Sequence, residues 1–262
     1  MSRLLDRLDA VDRGATRAMG FAASAEPKPT PSMALLAWVP DLPQRDIASF
    51  AKLPVDSLIL PGDLAPDVLA KKITPLDNVV WGVTMEKPAR ARVEAYREKR
   101  SDFFVFGIEE TEVDAMEEGE CARVLRIAPE MEESQLRGLE DLPVDIVLLQ
   151  RPEPQGPLRL AHLLVISNVR AMTSRYLLLE WSGELTSRDL EYLRDAGVDG
   201  IVANVETMAP STFAALHEKM SSLPRRRPRG EQRPLAVLPR TGGPASVRPQ
   251  RREDEDEDED EP

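Results

Sequence analysis

The sequence predicts an α/β fold, a (βα)8 TIM-like barrel with an N-terminal helix and a disordered C-terminal tail. Three observations carry that expectation: eight short apolar runs at near-even spacing, a helical pattern after each, and a repeated Asp-plus-apolar phrase. The runs are 34–39, 57–60, 79–84, 102–106, 122–128, 144–149, 176–181 and 199–203. Their starts lie 20 to 24 residues apart, with one gap of 32. Runs this short and this rich in Val, Leu and Ile read as strands buried on both faces.

The intervening segments repeat apolar residues at helical spacing: Ile47/Phe50, Val68/Leu69/Ile73, Val93/Tyr96, Val113/Met116, Leu136/Leu139, Leu160/Leu163/Leu164, Leu190/Leu193 and Phe213/Leu216/Met220. Pro66, Pro88, Pro157 and Pro210 stand where a first helical turn tolerates proline. Eight strand–helix units match the count of a closed barrel. An open doubly wound sheet alternates in the same way, but it usually starts with a Gly-rich first turn, and the chain after the first run reads PDLPQRD. The internal echo is LPVDSLIL at 53–60, LPVDIVLL at 142–149 and AGVDGIVA at 196–203, with Ser101-Asp102 before FFVF as a looser copy. Asp56, Asp102, Asp145 and Asp199 thus open the even-numbered strands. Their expected role is to accept nearby backbone N–H groups at the end of a barrel where conserved residues serve stability.

The barrel should occupy 33–224. Ahead of it, residues 1–21 form an amphipathic helix with Leu4, Leu5, Leu8 and Val11 on one face. Its charges nearly cancel, which favours packing on the barrel over a membrane surface, and a partner-docking role is the alternative. Residues 22–32 (AASAEPKPTPS) read as a linker. From 225 to 262, nine Arg and ten acidic residues replace the apolar period, and Glu253 to Glu261 alternate Glu and Asp. Such a block cannot bury enough surface to fold. Its arginines lack interleaved aromatics for base stacking, so nucleic acid is not expected as a partner.

The 262 residues carry a net charge of −12, and a single cysteine, Cys121, rules out an internal disulfide and a Cys-rich metal site. No stretch approaches the roughly 18 apolar residues of a membrane span. Asp6, Asp9 and Asp12 interrupt the only N-terminal apolar run, so a cytoplasmic location is expected. The two histidines, His162 and His217, fall within helices. That argues against Ser-His-Asp or Cys-His chemistry. No lysine lies within a strand, which disfavours a Schiff base, and no phosphate loop is present.

Function in a barrel resides on the loops that follow the strands. Here those loops and strand ends carry Asp41, Asp63, Glu86, Glu109, Glu110, Glu130, Glu153, Glu180, Glu184 and Glu206, chiefly against Lys87 and Arg151. An acidic mouth repels phosphates and suits divalent cations or basic ligands. Acids also belong near helix N-termini, where the dipole favours them.

Alternation along strands sharpens this picture. Arg126 interrupts the fifth strand, Glu180 the seventh, Thr84 and Glu86 share one phase of the third, and Gln150 and Asn204 end the sixth and eighth. If these phases face the lumen, Arg126, Gln150 and Asn204 form a ligand-binding set, with Arg126 anchoring a ligand carboxylate. Glu86 and Glu180 are then the candidate acid/base residues and the candidate ligands of a divalent cation. The structural alternatives are an Arg126–Glu180 or Arg126–Glu130 pair, or an outward Arg126 lying between helices.

The stretch YLLLEWSGELTSRDLEYLRDAGVDGIVANV resembles the last quarter of the phosphate-binding (βα)8 barrels, the class of indole-glycerol-phosphate synthase and FMN-dependent barrel oxidoreductases. The resemblance rests on a helix of the type xxDLxxLxxAGVDGxxV and the strand after it. It implies the barrel fold and a phosphate site at the turns after the seventh and eighth strands. Gly183 stands in the first of those turns, while Asn204-Val205-Glu206 replaces the glycine of the second. Three functions are compatible with the sequence. One is a small-metabolite-binding barrel of lyase or isomerase type, with its site at the strand C-terminal ends. A second is a non-catalytic scaffold that docks partners through its N-terminal helix or tail. The third is a phosphate-ligand enzyme with a decayed grip.

Overall fold

A computed structural model of the chain describes residues 2–13, 31–42, 47–74, 79–117, 119–151 and 156–224. The expected tail, most of the expected linker and Glu153 lie outside these residues. Eight parallel strands close on themselves in sequence order: β1 (Ala34–Trp38), β2 (Ser57–Pro61), β3 (Val80–Thr84), β4 (Phe103–Phe106), β5 (Ala122–Ile127), β6 (Ile146–Leu149), β7 (Tyr176–Trp181) and β8 (Gly200–Asn204). Closure is made by β1 and β8, which pair from Ala34 with Gly200 to Trp38 with Asn204. The helices are α1 (Arg3–Arg13), α2 (Ile47–Phe50), α3 (Pro66–Ile73), α4 (Arg90–Glu98), α5 (Glu133–Gly138), α6 (Leu160–Met172), α7 (Ser187–Ala196) and α8 (Pro210–Ser222). The chain is therefore a (βα)8 TIM barrel, and every described residue belongs to one unit spanning Met1–Pro228.

Alternation divides the strand residues into two apolar cores. One phase packs outward against the helices, as with Leu35, Leu60, Val83, Leu149 and Leu179. The other fills the lumen: Ala34, Leu36, Ile59, Phe103, Val105, Val124, Ile146, Leu148, Leu178 and Val202. Gly82 shares that inward phase, and a Cβ there would meet the Phe103 ring and carbonyl at 2.4 Å. The missing side chain at Gly82 is thus what admits the Phe103 ring. Four-residue layers from alternate strands interdigitate in this way to make a packed core, not a pore.

The closed end is sealed by α1. Leu4 and Leu8 are buried within the lumen core, and each such side chain contributes about 1.5–3 kcal/mol. Leu4, Leu8 and Val11 of the helix apolar face are buried, while residues 14–21 of the expected helix lie outside the described residues. Asp102 caps the helix, accepting from Ser2 Oγ (2.7 Å), Arg3 N (2.7 Å) and Leu4 N (2.9 Å). Arg7 pairs with Asp56 at 2.8 Å, and the Tyr176 hydroxyl donates to Asp9. Burial, then the Asp9 carboxylate, pushes the Tyr176 phenol up.

The other three repeated aspartates share one geometry. Asp56, Asp145 and Asp199 donate their own N–H to Leu35, Arg123 and Leu177, and their carboxylates accept the N–H of those same residues at 2.8–2.9 Å. Each carboxylate extends the parallel ladder by one acceptor. Asp102, the looser copy, donates its N–H to Trp81 but turns its carboxylate to α1 instead.

Three helical expectations are corrected. Residues 113–116 form a single 3-10 turn, and Val113 is 85% exposed. Glu109, Glu110, Glu112, Asp114 and Glu117 would stack like charges at i, i+3 and i+4 in any longer helix. In α6 the buried residues are His162, Ile166 and Val169, whereas Leu160 is 84% and Leu164 63% exposed. In α3, Leu69 and Ile73 are buried and Val68 is exposed.

Candidate functional site

At the open end the lumen changes character. The last inward positions of the odd strands are Trp38, Thr84, Arg126 and Glu180, above Ile59, Val105, Leu148 and Val202 of the even strands. The Arg126 guanidinium forks onto Glu180, Nε to Oε1 at 2.5 Å and Nη2 to Oε2 at 3.1 Å. It also lies over the Trp38 ring, 4.6 Å from the centroid. The pair is only partly buried, with side-chain exposures of 31% and 15%. Bidentate geometry fixes the fork, and Trp38 supplies the stacking face that a guanidinium favours. Nη1 of Arg126 makes no hydrogen bond among the described residues.

Two cavities open beside this layer. One, of about 530 Å³, is lined by Trp38, Pro61, Gly62, Asp63, Thr84, Glu86, Lys87 and Arg92. The other, of about 520 Å³, is lined by Glu86, Ile108, Glu109, Glu130, Met131, Arg126 and Gln150, among others. Glu86 belongs to both, and each volume accommodates a metabolite-sized ligand. The Thr84 hydroxyl is buried without a hydrogen-bond partner. The β2 loop is braced from behind: Arg92 and the Tyr96 hydroxyl both donate to Gly62 O, and Tyr96 also donates to Leu64 O. Burial pushes the Tyr96 phenol up, so it remains a donor. A Cβ on Gly62 would stand 2.4 Å from the Thr84 carbonyl, so only glycine lets the loop pass this close to β3.

The expected site residues therefore divide. Glu86, Arg126 and Gln150 line one cavity. Glu180 touches that site through Arg126 and is held by the fork. Asn204 is drawn into its own turn, its Oδ1 accepting from Glu206 N at 2.8 Å while its carbonyl accepts from Thr207 and Met208 N. Of the two residues expected to hold a divalent cation, Glu86 lines both cavities and Glu180 is paired with Arg126; among the described residues no three His, Cys, Asp or Glu side chains converge as a metal site. Trp38 and Arg92 were not among the expected residues, and Thr84 was singled out only by its phase with Glu86. The available signal was phase, since Trp38 and Thr84 end β1 and β3 in step with the lumen residues.

The turns after β7 and β8 border a smaller cavity of about 270 Å³, lined by Gly183, Glu184, Met208, Ser211, Thr212 and Lys219. The α7 N-terminus is filled by its own Asp189, which accepts Thr186 N at 2.9 Å in a reciprocal cap with Thr186. At α8, Pro210 removes one donor, and Thr212 and Phe213 N–H go to Ala209 O. His162 is buried, with Nδ1 accepting from Arg159 N at 3.0 Å and its ring edge-on to Trp181. Cys121 lies at the closed end, donates to Ser101 O and is pushed up to about 11 by burial, so its thiol stays protonated.

A (βα)8 TIM barrel with a polar open end is the class this geometry defines. No family model and no curated protein matches the sequence. In three dimensions the chain is similar to tryptophan synthase from M. tuberculosis, at 12% identity and a TM-score of 0.59, over 84% of this chain and 98% of that one. It is also similar to KGPDC from Streptococcus mutans (10% identity, TM-score 0.56, 72% and 97% covered). A third is a 3-hexulose-6-phosphate synthase (13% identity, TM-score 0.54, 72% and 98% covered). At these identities the likeness is one of fold. That likeness of fold covers 72% or more of this chain. No helix among the described residues is long and apolar enough to cross a membrane.

Proposed function

We propose that this chain is a small-molecule-binding TIM barrel enzyme of lyase or isomerase type, with its site at the strand C-terminal ends. The observation that carries the reading is the polar lumen layer of Trp38, Thr84, Arg126 and Glu180, which opens on cavities that share Glu86. Arg126 is preorganised by Glu180 and Trp38, and its unused Nη1, beside Gln150, anchors a carbonyl or carboxylate oxygen of the ligand. Glu86, open to both cavities, is the acid/base residue, because both oxygens of Glu180 are held by the fork. The three barrels of similar fold support the reading, since two are named as synthases.

The test is ligand capture. The protein is equilibrated with a metabolite extract, separated by ultrafiltration, and its bound compounds are identified by mass spectrometry. The expected result is enrichment of a compound that is lost with Glu86→Gln plus Gln150→Leu while the melting temperature holds. An identical profile for the variant, or no enrichment, overturns the reading.

The scaffold reading keeps one observation of its own. The outer face of α6, Leu160, Ala161, Leu164, Ser167, Asn168 and Ala171, is exposed and carries no charge.

A further inference from the structure

We propose that the outer face of α6 is a self-association surface, through which two copies of this chain pair about a two-fold axis. The exposed positions of α6 are Leu160, Ala161, Leu164, Ser167, Asn168 and Ala171, which recur every three or four residues and form one continuous strip. Leu160 and Leu164 stand clear of the barrel, while His162, Ile166 and Val169 hold the opposite face against it. No charge interrupts the strip. By contrast α3, α4, α5, α7 and α8 each expose at least one charged side chain, as with Asp67, Arg90, Glu133, Arg188 and Glu218. Arg170, the one arginine of α6, is held at the closed end by the carbonyls of Thr173 and Arg175 and by the Asp199 carboxylate. A helix face in water carries polar and charged residues, and an uncharged strip with two exposed leucines is a face that a partner covers.

Charge and shape identify the occupant as a second copy. The chain carries a net charge of −12, so two copies repel where charged faces meet. Along this strip they approach with no like charges opposed. The strip also complements itself. Ala161, Leu164, Asn168 and Ala171 keep the three-four-three spacing of a two-helix seam. With the helices antiparallel and the axis level with Ile166, Ala161 meets Ala171 of the other copy, and Leu164 meets Asn168 of the other copy. The alanines let the backbones approach, and each leucine lies across an uncharged amide. At about 1.5 Å per residue the strip is roughly 18 Å long, and a helix pair of that length covers on the order of 500 Å² per copy. The total of about 1,000 Å² stands at the lower edge of specific interfaces and sets the dissociation constant in the micromolar range. No residue of α6 lines either open-end cavity, so this pairing is independent of the ligand reading.

The test is the mass of the full chain in sedimentation velocity from about 1 to 300 μM, a range that brackets a micromolar dissociation constant. The expected result is a monomer–dimer equilibrium that each of Leu164→Glu and Asn168→Glu weakens by about tenfold or more, because each sets two carboxylates into the seam. Both positions are exposed in the single chain, so the melting temperature of dilute protein should hold for both variants. The dimer should persist in about 0.5 M salt, since an uncharged seam has no ion pairs to screen. Ser167→Cys, beside the axis, should give a disulfide-linked dimer on mild oxidation, whereas wild type, with Cys121 at the closed end, should not. A chain that stays monomeric throughout overturns the inference. So does a dimer unmoved by both glutamate variants, or one that dissociates in salt.

Discussion

The two ends of the barrel treat charge in opposite ways. At the closed end, Asp56, Asp102, Asp145 and Asp199 each accept backbone amides, and Arg7 and Arg123 add guanidinium partners. At the open end, four cavity-lining carboxylates have no hydrogen bond or ion pair among the described residues. Buried or half-buried charges persist only when partnered, so the closed end is built for stability. Exposed, unpartnered charges cost little in water, and they leave a field that a ligand can use.

Removal of residues 1–21 should break this contrast most severely. It uncovers the lumen floor and strips Asp102 and Asp56 of their helix partners. The three buried side chains Leu4, Leu8 and Val11 alone contribute roughly 5 kcal/mol at the usual value per side chain. A large fall in melting temperature or loss of solubility is expected, and an unchanged melt would show that α1 does not seal the barrel. Next in size, Asp199→Ala leaves Leu177 N without its acceptor and Arg170 without its carboxylate at 3.7 Å. About 3–5 kcal/mol should be lost in urea unfolding, and a loss below about 1 kcal/mol would place Asp199 outside the stabilising set.

Arg126→Met tests the boundary between the two regimes. The pair is partly solvated, so a loss of about 1–3 kcal/mol is expected, with Glu180→Gln recovering part of it in the double variant. Additive single effects would mean that the fork contributes no coupling. Smaller still is the acid response of Glu140 at the closed end. The Ser174 hydroxyl, then the Ser174 amide, with Thr173 as a further donor, hold its carboxyl below the usual glutamate value. Because the folded value is depressed, this stabilisation is present above the ordinary glutamate pKa of about 4.3. It is lost as pH falls through the folded value. The stability gap between wild type and Glu140→Gln should therefore be widest near neutrality and close in acid; a gap independent of pH would assign it to packing. Smallest of all, Glu86→Gln should change stability by less than about 0.5 kcal/mol in either direction. A larger loss would mean that Glu86 has a structural partner and would blur the distinction between the ends.

Much of the architecture was legible because it is written in local periods. A repeat of two along strands and of 3.6 along helices is set by backbone geometry, so eight strands, their order and their inward phase could be read directly. The same phase singled out Arg126 and Glu180. Reading failed where several faces were almost equally apolar: in α6 the Leu160/Leu163/Leu164 stripe competes with His162/Ile166/Val169, and only packing on the barrel decides between them.

By itself the sequence determined the (βα)8 count, the aspartates that open the even strands and the acidic character of the loops after the strands, since each depends on residues close together in the chain. Tertiary structure alone decided the partners. Arg126 had Glu130 four residues away, yet it joins Glu180, 54 residues on, because the register of β5 and β7 on either side of β6 brings their last inward residues together. Asp102 caps a helix 98 residues earlier because α1 docks its Leu4 and Leu8 into the closed end beside the start of β4. Strand phase says which way a side chain points, and only the register of the closed barrel says what it meets.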